Sequence, residues 1–330
     1  MRRLTFLVGL LAALYSGYWV LGAFAVKQGA ATQISAAQRD GWGVAYRDLQ
    51  LRGFPSRFDT TASDLVLTSP DGLWSWAAPF VQVFALSYRP NRVIVAFPND
   101  QTLRFGDQNM RITGDRLRAS AGVAANTDLS FDAVTLDAAA TTVVSDFGWT
   151  AGLDRAIAAM RAKPGAGNSY DIYVDADQLT LPATALHRID PQARLPQTIT
   201  RIALDSTVTL DRALDRHAFD GQNSLPVAQR VVLNSFVLDW GDLGVRADGA
   251  VDIDALGVLN GRVTVRTAQW REIIALLVSA GAIDPGVAPT VVNVVATMAP
   301  DGQMLELPIM FRDGFVWVGP LPVGPAPRLR

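Results

Sequence analysis

The longest apolar run of the chain lies at its N-terminus. Residues Leu4 to Val26 carry no charge, Arg2 and Arg3 precede them, and Lys27 follows. As a helix these residues extend about 34 Å, enough to cross a hydrocarbon core about 30 Å thick. Because short flanks rich in arginine stay in the cytoplasm, the pattern predicts a single-pass anchor, residues 1–27, with the rest of the chain on the far side of the membrane.

The same segment also fits a second interpretation, a cleaved signal peptide. Ala23-Phe24-Ala25 offers a cleavage site with small residues two positions apart. The apolar run is longer than the roughly 7–15 residues typical of a signal peptide, which favours the uncleaved anchor. Tyr15, Tyr18 and Trp19 lie in the second half of the run, where aromatic rings settle at a membrane interface.

Beyond the anchor, and after a short helix predicted for residues 28–40, the pattern changes to a period of two. In residues 202–210 the even positions are mostly apolar and the odd positions mostly polar, which indicates a half-buried strand. Many antiparallel neighbours are expected, because Asp-Gly pairs favour tight hairpins. The same alternation occurs in residues 170–175, 243–254, 262–266 and 305–311, and six Asp-Gly pairs begin at Asp40, Asp71, Asp220, Asp248, Asp301 and Asp313.

Two further patterns depart from alternation. Residues 80–86 and 93–97 are apolar almost throughout, which predicts strands covered on both faces. Apolar residues three to four positions apart predict helices over residues 149–163 and 269–280, and residues 290–298 fit a helix or, because of their valines, a strand. The chain is therefore expected to be a mainly β (α+β) protein. Its exported part, 28–330, is expected to be one β-rich domain or two halves, 41–163 and 168–330.

Composition and charge exclude several classes of function. The chain is 49% hydrophobic and 18% charged, so it is not disordered, and a net charge of −2 does not favour a nucleic-acid partner. With no cysteine, thiol catalysis and thiolate metal sites are excluded. Of the two histidines, His187 and His217, neither has acids at metal-ligand spacing, and hydrolase and phosphate-binding motifs are absent. We therefore predict no enzyme, no catalytic residue, no metal and no cofactor.

Several segments of the first half resemble the alphaproteobacterial family of exported proteins called domain of unknown function 2125. The residues that carry this resemblance are Gly41–Leu49 (GWGVAYRDL), Arg52–Asp59 (RGFPSRFD), Gln82–Asn91 (QVFALSYRPN) and Val95–Asn99 (VAFPN). The resemblance extends more loosely over most of the chain after the anchor. It implies no established activity and brings no catalytic residues.

A weaker resemblance lies in the second half. Gly249–Ile253, Gly261–Val265 and Trp270–Ala280, which suggest strand, strand and amphipathic helix, are similar to the C-terminal part of membrane-anchored AsmA-like envelope proteins. That resemblance implies a long, curved antiparallel sheet with a few packed helices, whose apolar concave face is implicated in moving lipids between membranes. Likeness of fold supports function only weakly.

The apolar positions of the strands supply the candidate ligand-binding residues. Trp74, Trp76, Phe80 and Phe84 have one parity, so on a regular strand they share a face and line an apolar groove. An ordinary aromatic core is the competing interpretation. The same groove is predicted to include further strand residues, namely Ile202, Leu204, Val208, Leu210, Val245, Val251, Ile253, Val263 and Val265.

Together these patterns favour a protein of the bacterial inner membrane, anchored through residues 4–26, with its C-terminal domain in the periplasm. The favoured function is non-enzymatic binding or transfer of lipid or another hydrophobic ligand. The alternative is an envelope scaffold or protein-interaction module whose core is filled by its own side chains, with protein partners unknown. An enzyme with an unfamiliar site is a third reading, for which convergent polar groups in a cleft would be needed.

Overall fold

The protein is described by a computed structural model that covers residues 1–218, 225–281, 283–298, 304–319 and 321–328. The predicted anchor and the predicted short helix after it form one continuous helix, α1 (Arg2–Arg39). Within the described residues, this helix alone is both long and apolar enough to cross a membrane, and none of its apolar segment is buried in the protein. Gly41, with φ +90°, follows its end.

Strands make up most of the remaining chain, as the alternation predicts. They form one long antiparallel sheet. The first nine are β1 (Gly43–Ala45), β2 (Asp48–Arg52), β3 (Arg57–Thr68), β4 (Trp74–Leu86), β5 (Arg89–Ala96), β6 (Asp100–Phe105), β7 (Gln108–Thr113), β8 (Arg116–Val123) and β9 (Phe131–Ser145). The others are β10 (Thr150–Ala162), β11 (Ser169–Thr180), β12 (Thr198–Leu210), β13 (Ala228–Trp240), β14 (Leu243–Ile253), β15 (Leu259–Thr267), β16 (Leu305–Arg312), β17 (Phe315–Val318) and β18 (Leu321–Pro325).

The strands and helices divide into two compact units. The first unit contains residues 1–123 and 141–148, and the second contains residues 124–140 and 149–330. In the first unit β3 pairs with β1, β2 and β4, and β4 continues to β5 at one end and to β6 at the other. In the second unit each strand from β10 to β18 pairs with the next one along the chain. The sequence-predicted boundary between two halves, residues 162–168, coincides with the end of β10 and the turn that leads to β11.

Three short helices accompany the sheet of the second unit. Two of them, α3 (Trp270–Ser279) and α4 (Ala288–Met298), confirm the helices predicted from apolar spacing. The third, α2 (Ala183–Ile189), was not predicted because seven residues are too few to show a helical period. Together with the strands and α1, they confirm the predicted α+β class with a long antiparallel sheet.

The helix predicted over residues 149–163 is wrong, because this segment is the strand β10. Its alanines favour a helix, and Leu153, Ile157 and Met160 have helical spacing by coincidence. Pairing along β11, from Gly152 opposite Thr180 to Ala162 opposite Tyr170, overrides that local preference. Tertiary hydrogen bonding therefore decides a segment whose own propensity points the other way.

Two predictions about turns and coverage also need correction. The pair Asp248-Gly249 is not a turn but lies inside β14, where a side chain on Gly249 would overlap the backbone of Arg262 on β15. The apolar strand segments 80–86 and 93–97 are not covered on both faces, since Phe80 and Ile94 are exposed. The pairs at Asp71 and Asp313 do form turns between strands, whereas those at Asp220 and Asp301 lie outside the described residues.

Candidate functional site

The predicted groove residues of the second unit lie on one face of its sheet. Directly paired residues on antiparallel strands project to the same side, so each row of pairs marks one face. Leu210 and Ile253 belong to the same alternation at the strand ends. The rows read Ile202, Leu238, Val245; Leu204, Phe236, Ala247, Val265; Ser206, Leu233, Gly249, Val263; and Tyr170, Val208, Val231, Val251.

Helices cover this apolar face at one end. The row of Ile202, Leu238 and Val245 packs with α2 and α3 against a buried cluster that includes Trp240. The indole N–H of Trp240 donates to the carbonyl oxygen of Pro196 at 2.7 Å, which satisfies the polar atom of a buried ring. This end of the face is therefore part of a filled core.

The C-terminal strands of the same face are covered as well. Helices α3 and α4 pack on β16, β17 and β18 through a second buried cluster. Val295 of α4 is fully buried there, and Leu305 and Val318 of the strands are buried in the same cluster. At the far ends of the strands, Tyr170 is 2% exposed, its ring lies 5.6 Å from that of Phe131, and its hydroxyl oxygen accepts from the N–H of Leu214 at 2.6 Å. The face is thus closed at both ends and along its C-terminal edge.

The middle of the face is different. Six apolar side chains there are partly buried, although Ser206 and Ala247 between them are buried, and in the described part of the chain neither buried cluster includes the six. They lie on four neighbouring strands, β12 to β15, and so extend over about 14 Å at a spacing of about 4.8 Å per strand. We call these six residues the open apolar face: Leu204, Leu233, Phe236, Val251, Val263 and Val265.

The opposite face of the sheet is polar and carries ion pairs between neighbouring strands. Arg201 bonds Asp175 at 2.9 Å, and Arg161 bonds Asp171 at 3.2 Å. The Arg201 hydrogen bond holds the pKa of Asp175 below its ordinary value, while the hydrogen bond that Tyr173 donates to Asp175 raises the pKa of the tyrosine. These groups therefore stay charged or protonated near neutral pH and form a solvated surface.

A second apolar surface lies in the first unit, between α1 and the sheet. A cavity of about 390 Å³ is bounded by Ala30, Ile34 and Ala37 of α1 and by residues of β1 to β4, among them Val81 and Val83. Sequence reasoning missed this cavity, although the spacing of four and three between Ala30, Ile34 and Ala37 is a helical signal that could have found it.

The predicted aromatic quartet of β4 does not line this cavity. Phe80 and Phe84 pair with Ser63 and Asp59, one residue away from the cavity-lining pairs, and so project from the other face. Regular alternation fails here because Asp64 of β3 has φ +52°, which lets both Ala62 and Leu65 line the cavity although they lie three positions apart.

Trp74 and Trp76 have aromatic partners instead. The ring of Trp74 lies 5.5 Å from that of Trp42, edge to face. The ring of Trp76 lies 6.0 Å from that of Phe97, and its N–H donates to the side-chain oxygen of Gln101 at 2.9 Å. The two tryptophans thus contribute to packing between strands and loops of the first unit.

In the parts of the chain that the structure describes, polar groups converge in a pocket of about 560 Å³ on the polar face, but they form no known catalytic motif; the polar lining includes Arg161, Lys163, Asp171, Asp205, Thr207 and Asn234. No three histidine, aspartate or glutamate side chains there come together as metal ligands. His187 lies in the last turn of α2. The arrangement can therefore bury apolar groups, and it holds its charged groups in pairs on the other face.

Comparison with known proteins gives one match. Residues 19–327 match the family described as "Uncharacterized protein conserved in bacteria (DUF2125)". The chain belongs to this family. The DUF2125 match confirms the resemblance seen in the first half and extends it over both units. Neither the curated proteins nor the solved structures contain a match.

The extent of the DUF2125 match bears on the anchor. It begins at Trp19, inside the apolar run, and ends close to the C-terminus at residue 327. The resemblance to AsmA-like proteins stays a prediction, since no solved structure matches the chain. For a DUF2125 protein the site must therefore be interpreted from its own residues.

Proposed function

We propose that this protein binds or transfers lipid, or another hydrophobic ligand, in the bacterial cell envelope, without catalysing a reaction. The open apolar face is the observation that carries the proposal. Its six side chains are partly buried, lie between covered ends, and form one surface about 14 Å wide across β12 to β15. A monomeric soluble protein rarely leaves a contiguous apolar patch without a partner.

The chemistry of this face suits an acyl chain. Each buried methylene stabilises the bound state by about 0.8 kcal/mol, so a long chain gains affinity without precisely placed polar groups. The face supplies valine, leucine and phenylalanine, while the charged residues lie on the other side of the sheet. A polar substrate that must be orientated for a reaction would need convergent donors or acceptors instead.

The anchor supports the same proposal. A helix that crosses the inner membrane keeps the domain beside a lipid source, with the two units in the periplasm. The apolar run is longer than is typical of a signal peptide, which favours an uncleaved α1. A mature N-terminus at Val26 would contradict it.

Lipid capture by the full-length protein tests the proposal. We expect native mass spectrometry of the detergent-extracted protein to find bound lipid. We also expect the protein to bind a fluorescent fatty acid, and unlabelled lipid to displace that probe. Val263→Gln places a polar amide on the open apolar face and should weaken this binding severalfold. Thr264→Gln is the matched control, because the same side chain enters the adjacent position on the opposite face.

Two results would contradict lipid binding. Lipid absent from the native protein and no displacement of the probe would favour the scaffold alternative, with the face occupied by protein. Equal binding by the wild-type, Val263→Gln and Thr264→Gln proteins would show that lipid associates elsewhere. Circular dichroism of each variant verifies that the strand content is unchanged.

A further inference from the structure

Two neighbouring turns of the first unit lie against the apolar part of α1. These are the turn between β2 and β3 and the turn between β4 and β5, joined by the hydrogen bond from the Ser87 N–H to the Ser56 carbonyl at 2.9 Å. We call residues 52–57 and 86–92 the β-tip. It contains four arginines and no aspartate or glutamate, namely Arg52, Arg57, Arg89 and Arg92.

Aromatic side chains of α1 hold the β-tip in place. The hydroxyl of Tyr18 donates to the Ser87 carbonyl at 2.6 Å, and the indole N–H of Trp19 donates to the Arg57 carbonyl at 2.9 Å. The Trp19 ring also lies 5.4 Å from the Phe54 ring, edge to face. These bonds join an apolar helix to a strand terminus.

Strands β3 and β4 form a hairpin that begins at the β-tip and runs along α1 away from the apolar segment. Beyond the end of α1, Trp42 contacts Trp74, next to the β3–β4 turn at residues 69–73. From Trp19 to Arg39 the helix advances about 30 Å, at 1.5 Å per residue. One end of the hairpin is therefore beside the apolar segment, and the other is about 30 Å further along the helix.

The depth of the β-tip follows from this arrangement. Trp19 precedes Val26, the last apolar residue of the run, by seven positions, which is about 10 Å of helix. A bilayer that surrounds residues 4–26 must therefore also surround the group that Trp19 binds. The surface of the β-tip suits that position, since Phe54 is 56% exposed and Tyr88 is 63% exposed.

The polar backbone of the β-tip is compatible with a weakly polar surrounding. Lipid tails offer no hydrogen bonds, so backbone groups near them need partners in the protein. Tyr18 and Trp19 bind the Ser87 and Arg57 carbonyls, and the Arg57 N–H donates to the Gly53 carbonyl at 2.8 Å. The side chain of Ser87 is fully buried and lies 3.0 Å from the Tyr15 hydroxyl.

We propose that the β-tip inserts into the membrane leaflet on the same side as the two units. Phe54 and Tyr88 contact the acyl chains, and the exposed Arg52 and Arg89 bind the phosphates of anionic headgroups, as guanidinium groups do, whereas Arg57 is paired with Asp59 at 3.0 Å. The domain is thus held on the membrane at two points, the helix and the β-tip. This inference requires α1 to span the bilayer and is independent of ligand binding at the open apolar face.

Spin labels on single introduced cysteines test the proposal, since the chain has no cysteine of its own. The full-length protein is placed in nanodiscs of phosphatidylethanolamine and phosphatidylglycerol. Labels at Tyr88→Cys and Ser56→Cys, both exposed positions of the β-tip, should collide more with oxygen than with a water-soluble nickel complex. We expect their oxygen-to-nickel ratio to exceed that of Leu73→Cys severalfold, because Leu73 is exposed at the opposite end of the same hairpin.

The controls make every outcome decisive. A label at Gly9→Cys reports α1 alone, because no other part of the described chain lies within 4 Å of a side chain there. Nickel access at Gly9 would place α1 outside the bilayer and overturn the inference. Oxygen access at Gly9 combined with equal ratios at Ser56, Tyr88 and Leu73 would overturn it too. Neither result would change lipid capture by the open apolar face, which Val263→Gln tests separately.

Discussion

The two units cover their apolar surfaces differently. In the first unit one long helix, α1, lies along the sheet and leaves a partly open pocket of about 390 Å³. In the second unit the short helices α2, α3 and α4 cover the ends of the face, and its middle stays half-buried. Strands of similar alternation are thus covered to different extents, depending on the length and position of the helices above them.

The largest expected effect comes from uncovering more of the second unit. Val295→Asp places a carboxylate at a position with no exposure, in the cluster where α4 packs on the sheet. We expect it to lower the free energy of unfolding by about 4 kcal/mol, because a buried charge without a partner is costly. Urea unfolding of the full-length protein in detergent measures the change.

The matched control for that experiment is Asn293→Asp, an exposed position on the same helix. It should change the free energy of unfolding by less than about 0.5 kcal/mol, as is usual at exposed positions. If both variants lowered the free energy of unfolding by a similar amount, the packing of α4 on the sheet would not stabilise the protein.

A second prediction concerns the close approach of β14 and β15 beneath the open apolar face. Gly249→Val would force a side chain into the backbone of Arg262, so we expect a loss of about 3 kcal/mol and weaker lipid capture. Gly244→Val, in the same strand with open space around it, is the control and should be nearly neutral. Equal unfolding midpoints for the two variants in urea would refute the close approach.

Filling the cavity of the first unit should have a smaller effect of opposite sign. Ala30→Leu extends an apolar side chain from α1 into the cavity and should stabilise the protein by about 1 kcal/mol. Ala31→Leu adds the same side chain at the exposed neighbouring position and should not. A thermal unfolding midpoint that rises equally in both variants would mean that the cavity is not being filled.

The smallest expected effect lies on the polar face. The pKa of Asp175 is lowered chiefly by the Arg201 hydrogen bond, so its stabilisation is present above the ordinary aspartate pKa and is lost as pH falls through the lowered value. The pair is partly exposed and should contribute about 0.5 kcal/mol. Asp175→Asn should therefore lower stability at pH 7 and have less effect at pH 2.

Asp107→Asn, at an exposed turn position, controls for the loss of one negative charge. A difference between wild-type and Asp175→Asn protein that stays constant from pH 7 to pH 2, measured by urea unfolding, would contradict the role of the Asp175–Arg201 pair. The polar face would then serve only for solubility.

Much of the fold follows from local pattern. Alternation predicts that Ile202, Leu204 and Val208 share a face, since side chains of a strand alternate whatever the strand pairs with. Helices α3 and α4 are predicted from the spacing of their apolar residues, because that spacing is also a local property of the sequence. The candidate surface in the second unit was therefore accessible from sequence, and its ligand remains a proposal.

Where local pattern fails, pairing partners or irregular backbone are the cause. Residues 150–162 have the composition of a helix but pair with β11 as a strand. The positive φ of Asp64 accompanies a break in the alternation between Ala62 and Leu65, so the parity of Phe80 and Phe84 does not place them in the cavity. Neither the strand pairing of residues 150–162 nor the break in alternation at Asp64 can be predicted from nearby residues, because each depends on the neighbouring strand.

By itself the sequence determined the apolar helix, the alternating strands, the absence of thiol chemistry and the family. These properties depend on residue type and local period, which are present before the chain folds. Only the tertiary structure decided which apolar surfaces are fully covered and which are only partly covered, and that the β-tip lies against α1. Coverage depends on which helices meet which strands across long separations in the chain, and no local period encodes that choice.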